Sequence, residues 1–213
     1  MTPAEASAFA REICGLAPVI PVLVVEDAAN ARPLAEALVA GGLPVLEVTL
    51  RTPAALDAIR QMADVAGGVV GAGTLLKPHD AAAAKAAGAR FAVSPGVTEA
   101  LLDACEAADL PLLGGVATVG EAMRVLERGY TVAKFFPAEA NGGAAALKAF
   151  AGPLPQVSFC PTGGVTPTNA SDYLSLPNVV CVGGSWMAGA ALQREGRWDE
   201  VERLAREASA LRR

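Results

Sequence analysis

A single histidine, His79, stands among 213 residues. A metal site built on imidazoles and a Ser-His-Asp triad are both set aside by that shortage. His79 follows Pro78 at what reads as the start of a helix, and its plain reading is a surface or helix-start residue. Aromatic residues make up 5% of the chain and charged residues 18%. The four cysteines (Cys14, Cys105, Cys160 and Cys181) are scattered without C-x-x-C spacing. Thiols so placed, mostly among apolar neighbours, read as buried and free. Positive charge is also short: 17 Lys+Arg against 22 Asp+Glu give a formal net charge of −5, which argues against a nucleic-acid partner.

Unbroken apolar runs are missing too. The stretch 173–193 carries no charge, but Pro177, Asn178, Gly183, Gly184 and Ser185 interrupt it. A bilayer would leave such broken backbone unsatisfied, so no membrane span is expected. The opening MTPAEASAFAREICG has acids where a secretory signal needs a basic stretch and an apolar run. The expectation is a soluble, cytoplasmic protein. What is present is apolar mass: 53% hydrophobic residues exclude a disordered chain. With few aromatics the core must come from Ala, Val and Leu, which suits helices lying closely on a sheet. The length fits one core, hence one domain over 1–213.

Short Val-rich runs at 19–25, 45–50, 69–74, 91–94, 111–116, 131–137, 157–161 and 179–182 read as strands. Ala-rich stretches near 30–40, 53–63, 79–87, 98–108, 118–128, 143–150 and 167–174 read as the helices between them. Thr52-Pro53 offers a helix start, Thr118 with Glu121 a capping box, and Gly41, Gly88 and Gly129 helix stops. Segments 2–13 and 198–211 add an extra N-terminal helix and a terminal amphipathic one. Alternation of this kind builds a parallel sheet with helices outside, either doubly wound or a closed (β/α)8 TIM barrel. The count of eight strands, and the lack of a G-x-G-x-x-G turn after the first, favour the barrel.

Barrel chemistry sits at the C-terminal ends of the strands. Period two puts Glu47 on one face with Val45, Thr49 and Arg51, and Lys134 on one face with Val132 and Phe136. Only four lysines exist, and Lys77, Lys85 and Lys148 fall on helices or their edges. Lys134 instead lies in an apolar strand, where a cation is costly unless paired or deprotonated. Desolvation and a neighbouring cation favour a neutral amine that can attack a carbonyl. Glu47 is the matching acid and suits proton transfer. The plainer alternative is a structural Lys134–Glu47 pair crossing the barrel. Thr162-Gly163-Gly164 and Gly183-Gly184-Ser185 follow the seventh and eighth strands. Backbone N–H groups there, with a helix starting near Pro167, would suit a phosphate, though tight turns also want glycine.

The motifs PVIPVLVVED (18–27), ALVAGGLPVLEVTLRT (37–52), VVGAGTLLKP (69–78), FAVSPGVTEALL (91–102), VAKFFPAEANGG (132–143), FCPTGGVTP (159–167) and CVGGSWM (181–187) run in that order. The chain so marked resembles the bacterial class I aldolases for 2-keto-3-deoxy-6-phosphogluconate (KDPG) and 4-hydroxy-2-oxoglutarate. The resemblance implies that Lys134 forms a Schiff base and Glu47 shuttles protons through water. Arg51 and Thr74 would hold the pyruvyl carboxylate, and Pro95 and Phe136 would line its pocket. Thr162, Gly163, Gly164, Gly183, Gly184 and Ser185 would contact sugar and phosphate. It also implies a homotrimer of (β/α)8 barrels, no metal, no cofactor, and the Entner–Doudoroff pathway as setting. Gly114-Gly115 stands where the family commonly has a proline-glycine pair. The expected substrates are small molecules, with products pyruvate and the phosphorylated aldehyde D-glyceraldehyde 3-phosphate. Cleavage of 4-hydroxy-2-oxoglutarate to pyruvate and glyoxylate is the near alternative, and a sugar-phosphate epimerase or isomerase barrel the remote one.

Overall fold

A computed structural model describes residues 1–211. The strands are β1 (Val19–Leu23), β2 (Val45–Thr49), β3 (Val69–Gly73), β4 (Ala92–Val93), β5 (Leu112–Leu113), β6 (Gly115–Val116), β7 (Val132–Phe135), β8 (Ser158–Pro161) and β9 (Val182–Gly184). The helices are α1 (Pro3–Gly15), α2 (Ala31–Ala40), α3 (Ala55–Ala63), α4 (Pro78–Ala86) and α5 (Glu99–Ala107). They continue with α6 (Val119–Glu127), α7 (Gly143–Phe150), α8 (Ala170–Leu174), α9 (Ala190–Arg194) and α10 (Trp198–Ser209).

All strand pairs are parallel. Six strands pair in the order β5-β4-β3-β2-β1-β9, and three in the order β6-β7-β8. Gly114 alone separates β5 from β6, and single bridges Phe159↔Val179 and Thr162↔Gly183 connect β8 to the β9 segment. The result is an α/β fold around a curled parallel sheet. No helix of the described residues is long and apolar enough to cross a membrane. All four cysteines are buried and stand as thiols.

Alternation along the strands separates two apolar layers. Ala, Val and Leu side chains pack between strands and helices, with Phe135, Phe150 and Phe159 edge to face at centroid distances of 5.7–6.5 Å. A smaller cluster on the opposite strand face joins Ile20, Val45, Phe91 and Val132 to Ala10 and Ile13 of α1. α1 lies across the starting ends of β7 and β8. There the Thr131 N–H donates to Ser7 Oγ at 2.9 Å and Arg11 donates to Ser158 Oγ at 3.0 Å. Thr2 and Glu5 cap this helix reciprocally.

Several boundaries move from where the sequence puts them. Thr52 does not cap α3: its hydroxyl donates to the Val25 carbonyl at 2.5 Å, so the helix begins later, at Ala55. The helix expected from 167 begins at Ala170, because the Thr166 N–H is taken by Asn169 Oδ1 at 2.8 Å in a preceding turn. The strand expected at 179–182 is Val182–Gly184, since Val179 makes only a single bridge. The runs 91–94 and 111–116 shorten to two residues and split at Gly114, respectively. Thr118 and Glu121 do form the expected capping box on α6.

At Gly41, ending α2, a Cβ would meet Ala205 and stand 2.7 Å from the Glu202 carbonyl oxygen of α10. Gly152 has nothing within 4 Å of that position. Overpacking a tight crossing costs about 1–3 kcal/mol, so Gly41→Ala is expected to lose that much in urea unfolding. Gly152→Ala should stay within about 0.5 kcal/mol of the parent. Equal stability of the two variants would show that the α2–α10 crossing is not tight.

Candidate active site

Lys134 lies on β7 with Gly115 of β6 and Cys160 of β8 as its register partners. Its side chain points to the inner face with Val132, following the period-two alternation. Glu47 sits on β2 between Val22 of β1 and Gly71 of β3, and it points inward too. The two meet across the interior: Lys134 Nζ donates to Glu47 Oε1 at 3.2 Å, with the residues 5% and 3% exposed. The amine also stands 5.3 Å from the centroid of the Phe136 ring. Burying both charges together is tolerable where burying either alone is not.

Glycines make the room. A Cβ on Gly73 would stand 2.6 Å from Glu47 Cγ and 2.9 Å from its Cδ. A Cβ on Gly115 would stand 2.7 Å from the Ser94 carbonyl oxygen and closer still to the carbonyl of Pro95. Beneath the pair, the Cys160 thiol is held well below the usual thiol range by hydrogen bonds with Cys14 and Cys181, and further by the Lys134 charge. The Cys181 thiol is pushed up by hydrogen bonds with Cys14 and Cys160 and by burial.

Hydroxyls hold the end of β2 in place. Thr49 Oγ1 donates to the Leu23 carbonyl at 2.8 Å, tying β2 to β1 just before Arg51. The Arg51 Nε donates to Thr74 Oγ1 at 3.2 Å. Thr74 has φ 63°, a left-handed conformation that a β-branched residue rarely adopts and that costs of order 1–3 kcal/mol. The cost falls at the end of β3, where it aims the hydroxyl at Arg51.

A cleft of about 270 Å³ opens beside Phe136 at the C-terminal ends of the strands. Arg51, Phe136, Thr162, Gly163, Gly164, Gly183, Gly184 and Ser185 line it, with Val22, Val24 and Val165. Gly163 and Gly164 take φ of 98° and 82°, so the loop presents backbone where side chains would intrude. Behind the loop, Tyr173 donates to Glu139, whose Cγ fills the space a Cβ on Gly164 would need.

Eight of the residues singled out from sequence thus share one cleft, with Lys134 and Glu47 buried behind it and Thr74 joined through Arg51. Pro95 is outside the cleft wall and packs through its carbonyl on Gly115. His79 is exposed on α4, its Nε2 3.0 Å from Asp80. Sequence reasoning missed Gly73, Gly115 and the Glu139–Tyr173 contact. Gly73 could have been found by setting β3 beside β2, since it lies two residues beyond Gly71, the register partner of Glu47, on the same strand face.

An amine and a carboxylate paired in a dry interior, opening on a backbone-walled cleft at the strand ends, is an arrangement for reactions at a carbonyl. The class is an α/β aldehyde-lyase, an aldolase. More narrowly, the chain belongs to the KDPG and KHG aldolase family, whose family model matches residues 10–204. It is 52% identical over 200 residues to the KHG/KDPG aldolase of Escherichia coli K12, covering 93% of this chain and 94% of that protein. Among solved structures it is similar to the 2-keto-3-deoxy-6-phosphogluconate aldolase of Zymomonas mobilis ZM4 with 3-phosphoglycerate. The TM-score is 0.90 and the identity 52%, covering 95% of both chains. The KDPG aldolase of Legionella pneumophila, with pyruvate captured as a covalent carbinolamine intermediate, superposes with a TM-score of 0.91 at 47% identity. That match covers 94% of this chain and 98% of the other.

Removing one member of a buried ion pair strands the other, at a cost of about 3–5 kcal/mol. Lys134→Met is therefore expected to lower the urea midpoint strongly, and Lys134→Met with Glu47→Gln to recover most of the loss. If Lys134→Met is as stable as the parent, the two groups do not depend on each other for burial.

Proposed function

We propose that the chain is a class I, Schiff-base aldolase that cleaves KDPG reversibly to pyruvate and D-glyceraldehyde 3-phosphate. The observation that carries this reading is the buried Lys134 Nζ at 3.2 Å from Glu47 Oε1. A neutral amine is the attacking form, and Glu47 is the base within reach of its proton. Lys134 adds to the C2 carbonyl carbon, and the carbinolamine loses water to give a protonated imine. Glu47 takes the C4 hydroxyl proton through a bound water. The C3–C4 bond then breaks, its electrons pass into the imine, and an enamine and the aldehyde result. A proton returns to C3, and water hydrolyses the imine to pyruvate and free amine.

Arg51, already bound to Thr74, suits the pyruvyl carboxylate through its planar fork of donors. Phe136 walls the pyruvyl end, with Pro95 one strand away. Thr162, Gly163, Gly164, Gly183, Gly184 and Ser185 receive the sugar and phosphate. The Zymomonas relative held 3-phosphoglycerate, and the Legionella relative held pyruvate as a carbinolamine. Both halves of this substrate are therefore of kinds that relatives accept. On the same reading the curled sheet is a closed (β/α)8 barrel preceded by α1, in one domain over 1–213. The last two residues of that domain lie outside the described ones. The enzyme acts as a cytoplasmic homotrimer without metal or cofactor, in the Entner–Doudoroff pathway.

A second activity, cleavage of 4-hydroxy-2-oxoglutarate to pyruvate and glyoxylate, is favoured by the double name of the Escherichia coli relative. It needs the same groups at C2 to C4 and no phosphate site.

Pyruvate plus borohydride is expected to add one reduced pyruvyl group at Lys134, found by peptide mass mapping. Label on Lys77, Lys85 or Lys148 with Lys134 untouched would overturn the Schiff-base assignment. The two substrates separate at the phosphate. A hydrogen bond to a charged group is worth about 1.5–3 kcal/mol, so Ser185→Ala should lower kcat/KM for KDPG roughly ten- to a hundredfold. The value for 4-hydroxy-2-oxoglutarate should barely move. An equal fall for both would mean that Ser185 supports the site generally.

A further inference from the structure

The strand glycines differ in what they would strike if they carried a side chain. A Cβ on Gly71 would enter the Phe91 ring, and one on Gly115 would enter the backbone of Ser94 and Pro95. On Gly183 it would meet Thr162, and on Gly184 the Trp186 ring. On Gly73 the three nearest atoms all belong to Glu47: the Cγ at 2.6 Å, the Cδ at 2.9 Å, and the Oε1 nearer still. Among the described strand glycines, Gly73 is the one whose missing side chain is replaced by an ionisable group. The oxygen it makes room for is the one that accepts from Lys134 Nζ.

We propose that Gly73 is a positioning residue for the reaction: the empty space at position 73 sets where the Glu47 carboxylate stands over the Lys134 amine. Ordinary contact between carbon atoms lies at about 3.5–4.0 Å, so a methyl at 73 would drive the carboxylate back by roughly 1 Å. The Glu47–Lys134 hydrogen bond, already 3.2 Å long, does not survive that displacement. The obstacle is the end of a flexible side chain, not backbone, so the fold can accept the methyl while the carboxylate cannot keep its place. The three atoms nearest that methyl belong to Glu47 and none to Lys134, so the amine is expected to keep its route to the carbonyl. Position 73 therefore also fixes acid length: glutamate reaches over a glycine, whereas over an alanine the shorter aspartate fits.

This inference rests on Glu47 being the proton carrier proposed above, and four variants test the two ideas separately. Gly73→Ala should lower KDPG turnover, and deuterium uptake at the pyruvate methyl in D2O, by about a hundredfold, the cost of misplacing a group by ~1 Å. Borohydride trapping of pyruvate on Lys134 should stay within a few-fold of the parent. Glu47→Asp should lower turnover in the parent but raise it in the Gly73→Ala background, about threefold or more, as expected for residues in contact. Turnover of Gly73→Ala near the parent value, or an equal loss from Glu47→Asp in both backgrounds, overturns the proposal. If Gly73→Ala does not fold, a folded and active double variant upholds it, and a double variant that also fails to fold overturns it. If Glu47→Asp and Glu47→Gln both leave the parent's turnover unchanged, the proton-carrier reading itself falls and takes this inference with it. That loss is recognised because it lies in the parent background.

Discussion

The ammonium of Lys134 and the carboxylate of Glu47 are held together inside a structure whose other buried side chains are mostly apolar. Separately, each charge would face a desolvation penalty of several kcal/mol, and their attraction offsets it only when the geometry is kept. Much of the surrounding structure follows from that requirement. β2 and β7 are not adjacent, so their side chains meet only because the sheet curls and brings opposite strands face to face. The space for the carboxylate exists because β3 puts Gly73 beside Glu47, while Gly115 of β6 leaves room for the backbone of Ser94 and Pro95. A large residue at position 73 would push the carboxylate away from the amine. An interior built of small residues is thus a condition for holding two long charged side chains.

The two ends of the strands carry different loads. At their starting ends α1 docks through Ser7 and Arg11, and its Ala10, Ile13 and Cys14 pack with the floor residues Val132, Cys160 and Cys181. Apolar contact and a few hydrogen bonds suffice there. At the other end hydroxyls and backbone dominate. Thr49 and Thr52 tie the end of β2 to the carbonyls of Leu23 and Val25, Thr74 adopts a left-handed backbone to meet Arg51, and paired glycines wall the cleft. Strain and exposed polar groups gather at the cleft, and close packing gathers away from it.

Much of this was legible in the sequence for a physical reason. Lys134 and Glu47 stand out because a charge within an apolar, period-two run has to point inward, and an inward charge needs a partner. The Thr118–Glu121 box could be read because capping depends on four consecutive residues. Thr52 looked just as good a cap, yet its hydroxyl is taken by Val25, a residue 27 positions away. The start of α8 was misread likewise, since Asn169 captured the backbone first. Gly73 was invisible as more than a strand residue, because its importance lies in the register of β3 against β2. Thr74 gave no local hint of a positive φ. The misses share a cause: each depends on a contact or a backbone geometry that local pattern does not encode.

The separation between elements also explains how one site can serve two substrates. On the proposed reading, bond breaking involves only carbons 2 to 4, where KDPG and 4-hydroxy-2-oxoglutarate are alike, and Lys134 and Glu47 come from β7 and β2. The phosphate contacts proposed above lie on the segments that end β8 and β9, and through Thr162 and Gly183 those two segments bridge each other directly. A phosphate held there adds binding energy to the longer substrate without touching the groups that move protons. The shorter substrate leaves those loops to water and still meets the same amine and carboxylate. On that reading, discrimination between the two resides in backbone N–H groups and one serine hydroxyl, while the proposed catalytic pair stays indifferent to which aldehyde departs.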